Sequence, residues 1–233
     1  MKIALFGYGK MGKMIEQVAL TRGHDIVAKI DIDTTEIDFS NIDVAIDFSM
    51  PDAAFGNITS CIENKIPIIS GTTGWLHDYD KVLGTCKEYD GAFIYASNFS
   101  LGVNVFFELN AYLGRMMKDL NQYQVSMEEI HHTQKLDAPS GTAITLAEGI
   151  IGNTNYQGWK LEESTSENEI RITSKREGTV PGTHTVEYDS GVDSIAIKHT
   201  AHNREGFAFG AVIAAEWLQD KTGVFTMKDV LGL

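Results

Sequence analysis

Lys2-Ile3-Ala4-Leu5-Phe6-Gly7-Tyr8-Gly9-Lys10-Met11-Gly12 dictates how the first half of the chain folds. A short apolar run, read as a strand, passes at once into G-x-G-x-x-G, and residues 13–20 continue with helical periodicity. The first glycine allows a tight turn, the second lets backbone approach a pyrophosphate, and the third lets helix lie close on strand. Strand before and helix after is the context that distinguishes a dinucleotide fingerprint from a Gly-rich turn of another α/β unit. The next strand, residues 25–30, ends at Asp31, 19 positions past Gly12. An acid there is placed to meet the ribose hydroxyls, with Asp33 a competing candidate.

Outward from this unit the rhythm repeats. Residues 43–48 read as a third strand, and Pro51 opens a helix to about residue 63, its missing N–H harmless in the first turn. Residues 66–70 and 91–96 read as strands around a helix over 75–89, while 34–41 is polar and reads as loop. Short strands alternating with helices predict a doubly wound parallel sheet, which binds ligands at the carboxyl ends of its strands. The strand-end positions are the fingerprint residues Gly7, Tyr8, Gly9, Lys10, Met11 and Gly12, then Asp31, then Gly71, Thr72 and Thr73, then Ala96, Ser97, Asn98 and Phe99. These are the candidate cofactor-binding residues.

After residue 100 the pattern changes. Residues 103–120 predict a long apolar helix, and Tyr123-Gln124-Val125-Ser126-Met127-Glu128-Glu129-Ile130 alternates as a strand. His131-His132-Thr133-Gln134-Lys135-Leu136-Asp137-Ala138-Pro139-Ser140-Gly141-Thr142-Ala143 follows and leads into a helix over 144–151. Pro139 stops the preceding segment, Ser140 is a good N-cap, and Gly141 and Thr142 fall in the first turn, where backbone N–H groups lack helical partners. With His131, His132 and Lys135 just upstream, the stretch predicts a pocket for a small anion, such as a carboxylate, beside a proton donor. Adjacent strand residues point to opposite faces, so only one His of the pair aims at the pocket unless the strand has ended. Residues 153–168 read as a mobile or partner-covering loop with Trp159 stranded in it, and 169–199 as an antiparallel meander. An Ala- and Gly-rich helix over 207–218 is suited to return to the first sheet.

The expected fold class is therefore α/β. A doubly wound, Rossmann-like parallel-sheet domain takes residues 1–100 and 204–233 and binds dinucleotide. A smaller α+β domain, residues 101–203, has an open mixed or antiparallel sheet for substrate binding and oligomerisation.

Composition narrows the function. A net charge of −13 over 233 residues argues against nucleic acid or an anionic membrane as partner. Cys61 and Cys86 match no metal-ligand spacing and read as reduced cytoplasmic thiols; no metal is expected. The first strand begins at Lys2, so no signal peptide is expected, and no apolar run is long enough for a span.

With these pieces in place the chain resembles the bacterial 4-hydroxy-tetrahydrodipicolinate (dihydrodipicolinate) reductases of lysine and diaminopimelate biosynthesis. The resemblance runs along nearly the whole chain and is carried by residues 131–143. It is supported by Gly71-Thr72-Thr73-Gly74, by residues 98–104, by Pro181-Gly182-Thr183-His184, and by residues 199–204 with 207–211. It implies a cytoplasmic, NADH- or NADPH-dependent reduction of a cyclic unsaturated dicarboxylate. By position it implies His131 as general acid and Lys135 as second proton donor or carboxylate partner. His132, Gly141 and Thr142 match substrate-binding positions, and Ser140 opens the helix start that serves one carboxylate. It also implies a homotetramer joined through the second-domain sheet, and domain closure that brings nicotinamide and substrate together.

Three departures matter. Many members space the glycines G-x-x-G-x-x-G, where Phe6 stands here. Ile32 follows Asp31 where some carry Arg, and Met50 follows Asp47-Phe48-Ser49 where some carry a basic residue. The second departure predicts a preference for NADH, or dual use, because Asp31 repels a 2′-phosphate; Lys29 offsets this only if it curls back. Two rival readings are another amino-acid dehydrogenase of the aspartate or homoserine type and a non-catalytic dinucleotide sensor. Neither explains a His-His-Lys pattern before an anion-binding helix start.

Overall fold

In the computed structural model the described residues are all but Thr35, 163–165 and Glu167. They form two compact units, Met1–Leu101 with Glu205–Leu233, and Gly102–Arg204.

The first unit is a six-stranded parallel sheet. Its strands are β1 (Lys2–Phe6), β2 (Asp25–Ile30), β3 (Val44–Asp47), β4 (Ile68–Ser70), β5 (Ala92–Tyr95) and β11 (Gly223–Phe225), in the order β11-β5-β4-β3-β1-β2. The order reverses at β1, whose neighbours are β2 and β3. This switch point is where such sheets open a crevice for ligands. β3 and β4 are buried along their whole length, because helices cover both faces. On one face Ile15, Val18 and Ala19 of α1 (Lys10–Thr21) join Ala208, Ala211 and Val212 of α6 (Glu205–Leu218). On the other, Ile58 and Ile62 of α2 (Pro51–Glu63) pack with Val82 and Cys86 of α3 (Tyr79–Glu88) around the fully buried Trp75. Each fully buried Ile contributes about 1.5–3 kcal/mol. The expected helix over 75–89 starts late, with a 3-10 turn at Leu76–Asp78 before α3. The edge strand β11 was not expected. It is three residues long, and only its parallel register with Ala92, Phe93 and Ile94 identifies it.

The second unit is a five-stranded sheet of β6 (Gln124–His131), β7 (Gly158–Leu161), β8 (Glu169–Arg176), β9 (Gly182–Asp189) and β10 (Ser194–Ala201), in the order β10-β9-β6-β8-β7. The expected meander holds only for the β9–β10 hairpin. β8 does not pair with β9; it lies parallel to β6 and to β7, and β6 separates it from β9. The sheet is thus mixed. β6 brings a wholly alternating inner face to the centre, and burying both its edges places it between β8 and β9. Trp159 is not stranded in a loop but sits in β7, half-buried against the core; part of the predicted loop, residues 163–165 and 167, lies outside the described residues. The core joins Val125, Met127, Ile170, Ile172 and Val186 to Phe106 and Leu113 of α4 (Leu101–Met117) and Leu146 and Ile150 of α5 (Gly141–Ile151). The other face is polar, with Lys175 on Glu128 at 2.6 Å. No helix among the described residues is long and apolar enough to cross a membrane.

Candidate active site

In the first unit the turns after β1, β2, β4 and β5 all leave the same edge of one parallel sheet, so the expected cofactor residues share that edge. Gly7 has φ +86°, and a Cβ on it would lie 2.3 Å from the Phe48 carbonyl oxygen. A Cβ on Gly12 would lie 2.3 Å from the Gly7 carbonyl oxygen. Those two glycines are demanded by the fold. Gly9 is different: a Cβ there meets nothing within 4 Å, although it is the N-cap of α1 and has no side chain to cap it. The fold leaves an open cradle at a helix start with no acid in its first turn, which fits a pyrophosphate. Asp31 is exposed, and its carboxylate accepts a local bond from Ile32 N (2.9 Å).

The neighbouring turns are held by a residue that spacing alone did not single out. Asp47, fully buried at the end of β3, accepts from Ser49 Oγ (2.5 Å), Asn57 Nδ2 (3.2 Å), Ser70 Oγ (2.7 Å) and Thr72 Oγ1 (2.7 Å). Thr72 Oγ1 also accepts from Ser49 N (2.9 Å), so its hydroxyl is committed inside the protein. Phe99 is buried against Phe48, with α6 so close that a Cβ on Gly210 would lie 1.8 Å from the Phe99 carbonyl oxygen. The Phe99 side chain is therefore core. A charged residue ending an otherwise apolar parallel strand was the available signal for Asp47.

In the second unit β6 ends at His131, so His132 is already past the strand and the pair is not bound by strand alternation. His131 is buried on the inner face with Glu129; His132 is half-buried and accepts at Nε2 from Arg204 (3.4 Å). Glu129 is the centre of the cluster. Its Oε1 accepts from Ser174 Oγ (2.8 Å) and Arg176 Nη2 (3.2 Å), and its Oε2 from Ser140 N (3.0 Å). His131 Nδ1 and His184 Nε2 stand 3.6 and 3.7 Å from Oε2. Burial pushes the Glu129 carboxyl up, but His184, Ser140 and Ser174 outweigh it and hold it well below the usual carboxylate range. Glu129, His131 and His184 lie close enough to hold a metal ion. A cation at Oε2 would compete with the Ser140 N–H already bound there and would sit next to the Arg176 guanidinium on Oε1, so the trio fits a polar core better.

The loop above this core is shaped by Arg176, which donates to the carbonyls of Lys135 (3.2 Å) and Asp137 (2.5 Å). Ser140 caps α5 as expected, accepting from Ala143 N (3.2 Å), and its Oγ pairs with His184 Nε2 (3.1 Å). Gly141 is exposed, and a Cβ on it would meet nothing, so the helix start is open. Lys135 differs from expectation. It is no isolated point charge: its ammonium contacts both Asp137 oxygens at 2.8 Å. His131 differs too. The resemblance implied a general acid here, but burial, with His184, Lys135 and Arg176 nearby, lowers its pKa to about 4 despite Glu129. Glu129, Arg176 and His184 were not expected as site residues. For Glu129 a signal existed, since an acid in the inward row of Val125, Met127 and His131 must find a buried partner.

An open glycine cradle on a doubly wound sheet, with a separate unit carrying buried histidines at an open helix start, is the framework of a two-unit dinucleotide-binding protein. The chain belongs to the dihydrodipicolinate reductase family: the N-terminal part of the family matches residues 1–99 and the C-terminal part residues 102–231. It is 61% identical to 4-hydroxy-tetrahydrodipicolinate reductase of Christiangramia forsetii, over 99% of this chain and 98% of that one. It is 37% identical to the reductase of that name from Methanoregula boonei, over 91% of this chain and 83% of that one. Its fold matches the dipicolinate-bound dihydrodipicolinate reductase from Paenisporosarcina sp. TG-14 with a TM-score of 0.78 at 21% identity, covering 97% of both chains. The family consists of oxidoreductases of lysine and diaminopimelate biosynthesis that use NADH or NADPH. This selects the reductase over the dehydrogenase and sensor readings.

Proposed function

We propose that the Gly102–Arg204 unit binds the cyclic dicarboxylate and supplies its proton, while the other unit holds the dinucleotide. The observation that carries this is the open start of α5 at Gly141, which shares one polar core with His131 and with the loop that carries Lys135. A dianion needs two positive sites. The N–H groups of the helix start at Gly141 and Thr142 serve one carboxylate, with Ser140 not a direct ligand because its own N–H is held by Glu129 and its hydroxyl caps the helix; Lys135 and His132 serve the other. The Paenisporosarcina reductase, bound to dipicolinate, supports a planar dicarboxylate as ligand.

Bound NADH or NADPH supplies a hydride. His131 acts as general acid. Without ligand its pKa of about 4 leaves it neutral at pH 7. Negative charge arriving beside it favours the imidazolium. The proton is thus taken up with substrate and passed to the position next to the one receiving hydride. Lys135 loosens from Asp137 to meet substrate, which puts its charge to use only when the site is filled.

On the cofactor side the backbone of Gly7 to Gly12, with Tyr8, Lys10 and Met11 between them, takes the pyrophosphate. Asp31 takes the ribose hydroxyls, and the turns of Gly71, Thr72 and Thr73 and of Ala96, Ser97, Asn98 and Phe99 complete the dinucleotide site. The polar outer face of the second sheet, opposite α4 and α5, is the surface for a homotetramer in the cytoplasm.

The test is reduced-nicotinamide absorbance with cyclic substrate made in situ by a separate synthase. His131→Gln and Lys135→Met should each lower turnover by about 10²–10⁴-fold while dinucleotide Kd stays within about twofold. Unchanged turnover in both variants would remove these residues from the mechanism.

A further inference from the structure

Lys29 lies on β2, two residues before Asp31. Its ammonium is 2.7 Å from Glu16 Oε1 on α1 and donates to the Tyr8 hydroxyl at 3.0 Å. It also stands over the Tyr8 ring, 4.5 Å from its centroid. Tyr8, the residue between Gly7 and Gly9, in turn donates to the other Glu16 oxygen. The three side chains close a ring in which every charge is answered. Glu16 raises the Lys29 pKa, with Tyr8 adding to it, and Lys29 with Tyr8 lowers that of Glu16.

Lys29 of this ring lies two residues before the strand-end acid, the position that separates the two nicotinamide dinucleotides. An acid at the end of β2 accepts hydrogen bonds from a free ribose 2′-hydroxyl and repels a 2′-phosphate, which needs a cation there. Ile32 brings none. Lys29 is the cation closest in sequence to Asp31, and it faces the fingerprint tyrosine and α1. To recruit it, a phosphate must strip it from Glu16, leaving that carboxylate with four-fifths of its side chain covered and only Tyr8 to answer it.

Building on the dinucleotide placement above, we propose that Glu16 is a cofactor-selectivity residue: by holding Lys29 against Tyr8 it denies a 2′-phosphate its cation beside Asp31 and keeps the site selective for NADH. Glu16 touches neither substrate nor cofactor in this scheme and acts through Lys29. Glu16→Gln removes the charge but keeps an oxygen for Tyr8, so Lys29 is released with the local hydrogen bonding largely preserved.

The experiment measures Kd for NADH and NADPH by fluorescence of the reduced nicotinamide, together with kcat/KM for each, at one low ionic strength. The wild type should favour NADH. Glu16→Gln should raise the NADPH-to-NADH ratio about tenfold, mainly through tighter NADPH binding. Lys29→Met alone should leave the ratio within about twofold, because its charge is already committed, and Glu16→Gln/Lys29→Met should return the ratio to the wild-type value. A ratio unmoved by Glu16→Gln would overturn the assignment, as would a loss of NADPH binding in Lys29→Met alone. A gain that survives in the double variant would also overturn it and assign the effect to Lys13, 5.8 Å from the same ring. Binding of neither dinucleotide by the wild type would overturn the dinucleotide placement and this assignment with it, a result distinct from tight binding of both with a fixed ratio.

Discussion

Each unit is organised around one buried carboxylate, and the two are built differently. Asp47 is closed by neutral donors, namely two serines, a threonine and an asparagine. Glu129 accepts from a guanidinium, a serine and a backbone N–H, with two imidazoles just beyond. The first ties together the turns after β3 and β4. Its partners are neutral at any ordinary pH, which suits a scaffold that only has to present backbone to a cofactor. The second underlies the loop that carries Lys135, and it is met by a guanidinium, with two imidazoles beyond. The two clusters thus differ in whether the partners of the central carboxylate can carry charge.

The most severe test of this contrast is Glu129→Ala. It strands Arg176 and the Ser140 N–H and should cost the Gly102–Arg204 unit roughly 3–5 kcal/mol. Urea unfolding followed by hydrogen exchange should locate the loss in that unit and spare β1 to β5. An equal loss in both units would mean that they do not unfold separately.

A pH titration of stability probes the second cluster. His131 has a folded pKa of about 4 against an ordinary 6.5, so between those values the unfolded chain binds the extra proton. Stability therefore rises with pH across that window, and lowering the pH from 6.5 to 4 should cost about 3 kcal/mol. Glu129, held below its usual range, adds a second loss as pH falls through and below that range. The slope between pH 6.5 and 4 should flatten in His131→Gln; an unchanged slope would assign it to other groups.

The smallest effect expected is that of Asp47→Asn, about 1–3 kcal/mol, because three hydroxyls can reorient toward the amide oxygen. Its signature should be weaker dinucleotide binding, because Asp47 holds the turns after β3 and β4. An unchanged dinucleotide Kd would remove Asp47 from the support of those turns.

Much of this was legible from residue spacing. Strand, Gly-rich turn and helix follow one another within residues 2–21, and the Ser140 cap is set by Pro139 before it and the helical pattern after it. The central polar contacts were not legible. Arg176 lies 47 positions from Glu129, and nothing local to either residue names the other. The same holds for His184 and Ser140, 44 apart. Lys29 reads, from sequence, as a cation that offsets Asp31 if it curls back; whether it was available depended on Glu16, on a different element.

Local rules were enough to specify the parallel sheet, its glycine fingerprint, the open helix start and the residue types gathered there. Those rules are side-chain alternation along strands, helical periodicity, and the backbone freedom of glycine. Long-range folding was needed to establish that β8 runs parallel to β6, that β11 completes the first sheet, that His131 is neutral at rest, and that Lys29 belongs to Glu16. Each of those depends on which distant segment the chain brings alongside. Burial and charge pairing are properties of that arrangement, and neighbours in sequence do not carry them.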